Sequence, residues 1–198
     1  MSYDSFRHAR RSIRLQGFDY RTPRSYFVTI CTKWHEHFLG QVHRGRSQTN
    51  LTGFVVQSVW NDLLDHFPAV VTDEFVVMPN HVHGIIHILD CVGAGGPRPK
   101  MEVPRDRGAG TQEGTIASTS PLHGADSPTL GQIVAYFKYR STQIVNALLE
   151  MPATPLWQRN YYERIIRKNG ELERIRRYIR SNPENWDHDP ENVPLYSV

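Results

Sequence analysis

Apolar residues recur along the chain in two rhythms. At positions 51, 54, 55, 59, 60, 63, 64 and 67 the spacing is close to 3.6, which predicts a helix over 50–67 capped by Asn50 or Thr52. Leu130, Ile133, Val134, Phe137, Ile144, Val145 and Leu148 share one stripe and predict a second helix over 128–149. Leu172, Ile175 and Ile179 predict a third over 170–182, stopped by Pro183. Runs of β-branched and aromatic residues predict strands at 26–32, 74–78, 81–89 and 157–166. The turn pair Pro79-Asn80 joins the middle two as a hairpin. Between 92 and 128 both rhythms lapse, with seven glycines and five prolines in 37 positions. Such a stretch buries too little apolar surface to offset its ordering entropy, so it reads as a flexible insertion in one domain spanning 1–198. The order β-α-β-β-α-β-α is that of an α+β, ferredoxin-like split βαβ fold: an antiparallel sheet with helices on one face, plus an appended C-terminal helix.

Composition narrows the class. With 198 residues, 39% hydrophobic and 22% charged, the chain has the make-up of a globular domain. No run approaches the ~18 apolar residues of a membrane span, and the Arg-rich start lacks a secretory apolar region. Cys31 and Cys91 therefore read as reduced thiols. Charge is clustered: six arginines against two aspartates in 1–24, and eight basic residues against three glutamates in 156–182. The segment 183–198 carries four acids and no base. The basic stretches suit phosphate contacts, or are ordinary solvated faces.

The histidines of Asn80-His81-Val82-His83 sit two apart on a strand and so share a face. Two imidazoles can hold a divalent cation when a third ligand arrives from elsewhere. A second pair, His35-Glu36-His37, falls in a polar turn and reads as incidental. On the last helix Arg174, Tyr178 and Asn182 fall four apart on one face. They can be read as a phenol nucleophile, an amide oxygen for the cation and a guanidinium that could meet phosphate or lower the phenol pKa. The plainer reading packs Tyr178 beside Ile175 and Ile179 and makes Asn182 a helix cap.

Four stretches together resemble the HUH tyrosine transposases, most closely the REP-associated tyrosine transposases of bacteria: 26–32, 76–83 (Val-Val-Met-Pro-Asn-His-Val-His), 157–167 (Trp-Gln-Arg-Asn-Tyr-Tyr-Glu-Arg-Ile-Ile-Arg) and 178–183 (Tyr-Ile-Arg-Ser-Asn-Pro). The resemblance implies that His81, His83 and Asn182 bind Mg²⁺ or Mn²⁺ and that Tyr178 is the nucleophile, with Tyr161 and Tyr162 as rivals. It implies cleavage and strand transfer of single-stranded, hairpin-forming repeat DNA through a 5′-phosphotyrosine, in the bacterial cytoplasm, and leaves monomer or homodimer open. Arg10, Arg11, Arg14, Arg159, Arg167, Arg174 and Arg177 are then candidate phosphate contacts. Trp157, Tyr161 and Tyr162 are candidate base-stacking residues. Alternatives are a non-catalytic DNA-binding protein of the same fold, a relaxase or replication initiator, and a His-x-His metallohydrolase, which needs an added acidic ligand.

Overall fold

The computed structural model describes residues 23–90 and 128–192. The expected insertion, but for Pro128, and Arg10, Arg11 and Arg14 lie outside them. The period-two segments form a four-stranded sheet of β1 (Arg24–Cys31), β4 (Val70–Val77), β5 (His81–Ile88) and β6 (Tyr162–Ile166), in the order β4-β5-β1-β6. Every neighbouring pair is antiparallel, and β4 and β5 form the expected hairpin. With helices between the first and second and between the third and fourth of these strands, this is the split βαβ arrangement.

The two sheet faces are covered differently. Tyr26, Val28 and Ile30 of β1 and Val82, Ile86 and Ile88 of β5 pack into the main core with α1 (Leu51–Asn61) and α3 (Leu130–Leu148). Val55, Val56, Val59 and Trp60 come from α1, and Ile133, Val134 and Phe137 from α3. Asn50 caps α1 by accepting from the Gly53 N–H at 3.0 Å, and Thr129 and Gln132 form a capping box on α3. Gly84 lets Trp60 lie flat on the sheet, since a Cβ there would fall 2.4 Å from the indole ring.

Residues one step out of phase face the other way. Phe27, Ile85 and Ile166 form a smaller cluster beneath α4 (Asn169–Ser181), which contributes Ile179 with Leu172 and Ile175. Ion pairs add to this docking: Arg176 meets Asp73 at 2.6 Å and Arg180 meets Glu74 at 2.7 Å, both acids lying on β4. The histidines share this second face with α4.

Several boundaries differ from the pattern reading. The expected helix over 50–67 ends at Asn61, with a separate turn, α2 (Leu63–His66), after Asp62. Strand β4 begins at Val70 rather than Glu74; an irregularity between Thr72 and Phe75 blurs its alternation. The polar segment after β1 contains a 3₁₀ turn, Lys33–His35, and a two-stranded ribbon of β2 (Gly40–His43) and β3 (Arg46–Thr49). Its loop residues Arg44 and Gly45 have φ of 51° and 72°, the left-handed pair of a tight hairpin. A short polar ribbon carries little hydrophobic rhythm, so the sequence pattern misses it. Last, the strand expected over 157–166 is regular only from Tyr162, and Trp157 makes an isolated bridge to Thr32.

Candidate active site

Strand β5 is an inner strand, so its backbone is held on both sides, by β4 and β1. His81 and His83 project from it towards α4, and both are buried. Their backbones lie two residues apart, yet the rings converge until the Nε2 atoms are 3.1 Å from each other. Each ring is oriented through its other nitrogen. Asn80 Oδ1 lies 2.8 Å from His81 Nδ1 and, as an acceptor, fixes the proton there, which leaves Nε2 as a lone pair. Thr29 Oγ1 lies 2.9 Å from His83 Nδ1. Phe27 stacks on the His83 ring at 5.3 Å. Such outer hydrogen bonds are what orient metal-binding imidazoles.

A carboxylate that could serve as the third ligand to two histidines comes from beyond α4. A 3₁₀ turn, Pro183–His188, folds the chain back so that Asp189 meets the pair. Among the described residues, His81, His83 and Asp189 offer ligand atoms that all lie within 4.8 Å of one another, and all three residues are buried. Asp189 Oδ2 lies 3.9 Å from His81 Nε2. Asn182, the C-cap of α4, donates its Nδ2 to the same carboxylate at 2.7 Å. Asn182 Oδ1 is buried with no hydrogen-bond partner. A buried carbonyl oxygen without a donor, two neutral imidazoles and a carboxylate suit a divalent cation.

Burial sets the protonation states. It lowers the His81 pKa to about 3, helped by the charge of His35. His83 is held well below the ordinary histidine value by burial and by His81, against the pull of Asp189. Both imidazoles are therefore neutral at physiological pH, the form that binds metal.

Tyr178 reaches this cluster from α4. Its hydroxyl lies 3.3 Å from His83 Nε2, and its ring meets Phe27 edge-on at 6.0 Å. Tyr178 is 43% exposed, so the phenol borders both the buried His81–His83–Asp189 cluster and solvent. Its pKa is pushed up to about 12, by burial first and then by Asp189 and Glu191, while the Asn182 side chain opposes. Without added positive charge the phenol keeps its proton. Arg174 does not supply that charge: it is exposed and acts on Glu171.

The remaining expected contacts divide. Trp157 is a correction: it is 5% exposed, sits in the main core and donates its indole N–H to Ser141 Oγ at 2.9 Å, so it is not available to stack on a base. Its aromatic surface is spent on the gap between β1 and α3. Tyr161 packs half-buried against that core. Tyr162 is 39% exposed on the edge strand β6, opposite Thr29, with its ring 6.2 Å from Phe27. It is the one aromatic of the three that flanks the site. Arg159 lies with Lys138 of α3, whose ammonium donates to the Arg159 carbonyl at 3.0 Å, so it belongs to the far side of the sheet. Arg167, in the link between β6 and α4, and Arg177, within α4, are both exposed.

Asp189, Asn80 and Thr29 are absent from the sequence-derived site. The acid-only segment after the tyrosine helix carried a signal for Asp189. The acids nearer the histidines in sequence, Asp73 and Glu74, instead pair with Arg176 and Arg180.

No family model matches the chain. A protein of Haemophilus influenzae described as uncharacterized is 38% identical over 187 residues, which span 94% of this chain and 95% of that protein. A solved REP-associated tyrosine transposase bound to a REP hairpin superposes with a TM-score of 0.47 and 14% identity, over 89% of this chain and 86% of that one.

Proposed function

The chain belongs to one family with the Haemophilus influenzae protein, and on that premise we propose, from the site itself, that it is a metal-dependent enzyme that cuts and rejoins single-stranded DNA through a covalent 5′-phosphotyrosine. The observation that carries this reading is a half-exposed phenol, that of Tyr178, 3.3 Å from a buried imidazole whose neighbours are a second imidazole and a carboxylate. A divalent cation held by His81, His83 and Asp189, with Asn182 Oδ1 at hand, would supply positive charge beside a phosphate oxygen and beside the phenol. The donor set of nitrogen and oxygen suits Mn²⁺ better than Mg²⁺, which prefers all-oxygen surroundings.

In this reading Tyr178 Oη attacks the scissile phosphorus in line. A P–O bond to tyrosine forms, the P–O3′ bond breaks, the phenol proton passes to solvent and the departing 3′ oxygen takes one up. The ester energy is conserved, so another 3′-hydroxyl can reverse the step and complete strand transfer. Tyr162 offers a stacking surface for an unpaired base next to the scissile position. Exposed Arg174 and Arg177 hold the phosphate backbone. The whole chain acts as one domain on hairpin-forming DNA, with 92–128 inserted in it.

The test is incubation of the full chain with labelled hairpin oligonucleotides and Mn²⁺, followed by a denaturing gel. The chain should form a covalent adduct that chelator and Tyr178→Phe abolish, with hairpin binding retained. An adduct that survives Tyr178→Phe overturns the nucleophile. The same fold acting as a non-catalytic DNA-binding protein would bind the hairpin and form no adduct with any divalent cation. The metallohydrolase reading gains an acidic ligand in Asp189, but it gives no task to a phenol at the metal position.

A further inference from the structure

Beside the first cluster lies another whose residues take no part in the proposed chemistry. Cys31 ends β1 opposite His81 of β5. His35 closes the 3₁₀ turn that follows, and Glu191 follows Asp189 by two residues. We infer that Cys31, His35 and Glu191 form a second cation site, thiolate-containing and of zinc type, that clamps the segment carrying Asp189.

The geometry supports a shared ligand centre. Cys31 Sγ lies 3.3 Å from Glu191 Oε2, and His35 Nδ1 lies 3.6 Å from the same oxygen. All three ligand atoms lie within 4.8 Å of one another. A tetrahedral zinc with bonds of about 2.3 Å to sulfur and about 2.0 Å to nitrogen or oxygen has ligand–ligand edges of roughly 3.3–3.6 Å. Thiolate, imidazole and carboxylate are the ligand types zinc takes, whereas the first cluster has no sulfur. Binding releases the Cys31 thiol proton to solvent. Three protein ligands leave a fourth position for water.

The backbone is shaped to this end. Trp34 and His35 have φ of 61° and 56°, two successive non-glycine residues in the left-handed region. Such a conformation persists only where its surroundings impose it, and here its result is an imidazole brought onto Cys31 and Glu191. Glu191 is tied to the first cluster by its own main chain. Its N–H donates to Asp189 Oδ1 at 2.7 Å, and its carbonyl accepts from Asn80 Nδ2 at 2.7 Å. A cation on the Glu191 carboxylate thus fixes both Asp189 and the residue that orients His81.

The inference is tested on the full chain, freed of metal with chelator, kept reduced and titrated with Co²⁺ for spectroscopy and with Zn²⁺ for elemental analysis. The unsubstituted chain should show a thiolate-to-cobalt charge-transfer band in the near ultraviolet and bind two equivalents of zinc. Cys31→Ser should lose the band and one equivalent, and Glu191→Gln should weaken both. Cys91→Ser should change neither. His83→Ala should lose one equivalent and keep the band, so failure of the first site is distinguished from failure of the second. Absence of the band in the unsubstituted chain, which needs no variant to fold, overturns the inference. So does a band that survives Cys31→Ser, follows Cys91 or disappears with His83→Ala.

Discussion

At His83 the two ring nitrogens have different tasks. Nε2 faces His81 and Tyr178, while Nδ1 faces the Thr29 hydroxyl. With His81 Nδ1 protonated towards Asn80, the close approach of the two Nε2 atoms needs a proton on His83 Nε2, and Thr29 then donates to Nδ1. A cation held by both imidazoles would displace that proton, and the Nδ1–H of the other tautomer would then donate to Thr29. The threonine hydroxyl serves both states because it can donate or accept. Thr29→Val keeps the shape and removes the partner. It should weaken Mn²⁺ binding by roughly 10–100-fold with the fold intact, as read by calorimetric titration. Asn80→Ala should do the same through His81, and an unchanged affinity in both variants would remove these hydrogen bonds from the metal site. Tyr178 sits at the same scale: a phenol with its pKa near 12 gives little phenolate at neutral pH, so adduct formation without added cation should be negligible.

Helix α4 is the element that turns these residues into a site. Its apolar row is short, and burying Ile179 is worth roughly 1.5–3 kcal/mol. The ion pairs to β4 add direction. Asp73 accepts from Arg176 at 2.6 Å and lies 2.9 Å from His87 Nε2. Burial raises the Asp73 pKa, but the hydrogen bonds from Arg176, His87 and the Glu74 backbone outweigh it, and the net shift is downward. A carboxylate with a depressed folded pKa stabilises the fold above its unfolded pKa, and that contribution is lost as pH falls through the folded value. Asp73→Asn should therefore cost about 1–3 kcal/mol at pH 7, and the gap to the unsubstituted chain should close below the ordinary carboxylate value of 3.8. Denaturant unfolding across that pH range measures it; a gap that persists in acid would assign the effect to something other than ionised Asp73.

Over the described residues as a whole, the histidine face and the main core lie on opposite sides of one sheet, so the histidine cluster tolerates polar groups that the core does not. The exposed arginines of α4 sit on the same side of the sheet as the histidines. If they hold single-stranded DNA as proposed, Arg174→Ala with Arg177→Ala should lower the slope of log affinity against log salt by about 0.7 for each phosphate that the protein no longer neutralises, with little effect on stability. An unchanged slope would place the DNA elsewhere. The elements themselves are readable in the sequence, because periods of 3.6 and 2 follow from which side of a helix or strand meets the core. The pairing of His81 with His83, and of Tyr178 with Asn182, is readable for the same reason, since each pair shares one face of one element. Trp157 misleads because a large aromatic beside a basic strand looks the same in sequence whether it packs inward or outward. Asp189, Thr29 and Asn80 cannot be found as a set: they come from separate parts of the chain, and no local spacing links them. The chain by itself determined the repertoire of chemistry, two imidazoles and a phenol on regular elements. Only tertiary structure decided which carboxylate lies beside them, because that choice depends on how one 3₁₀ turn after α4 redirects the backbone across the sheet.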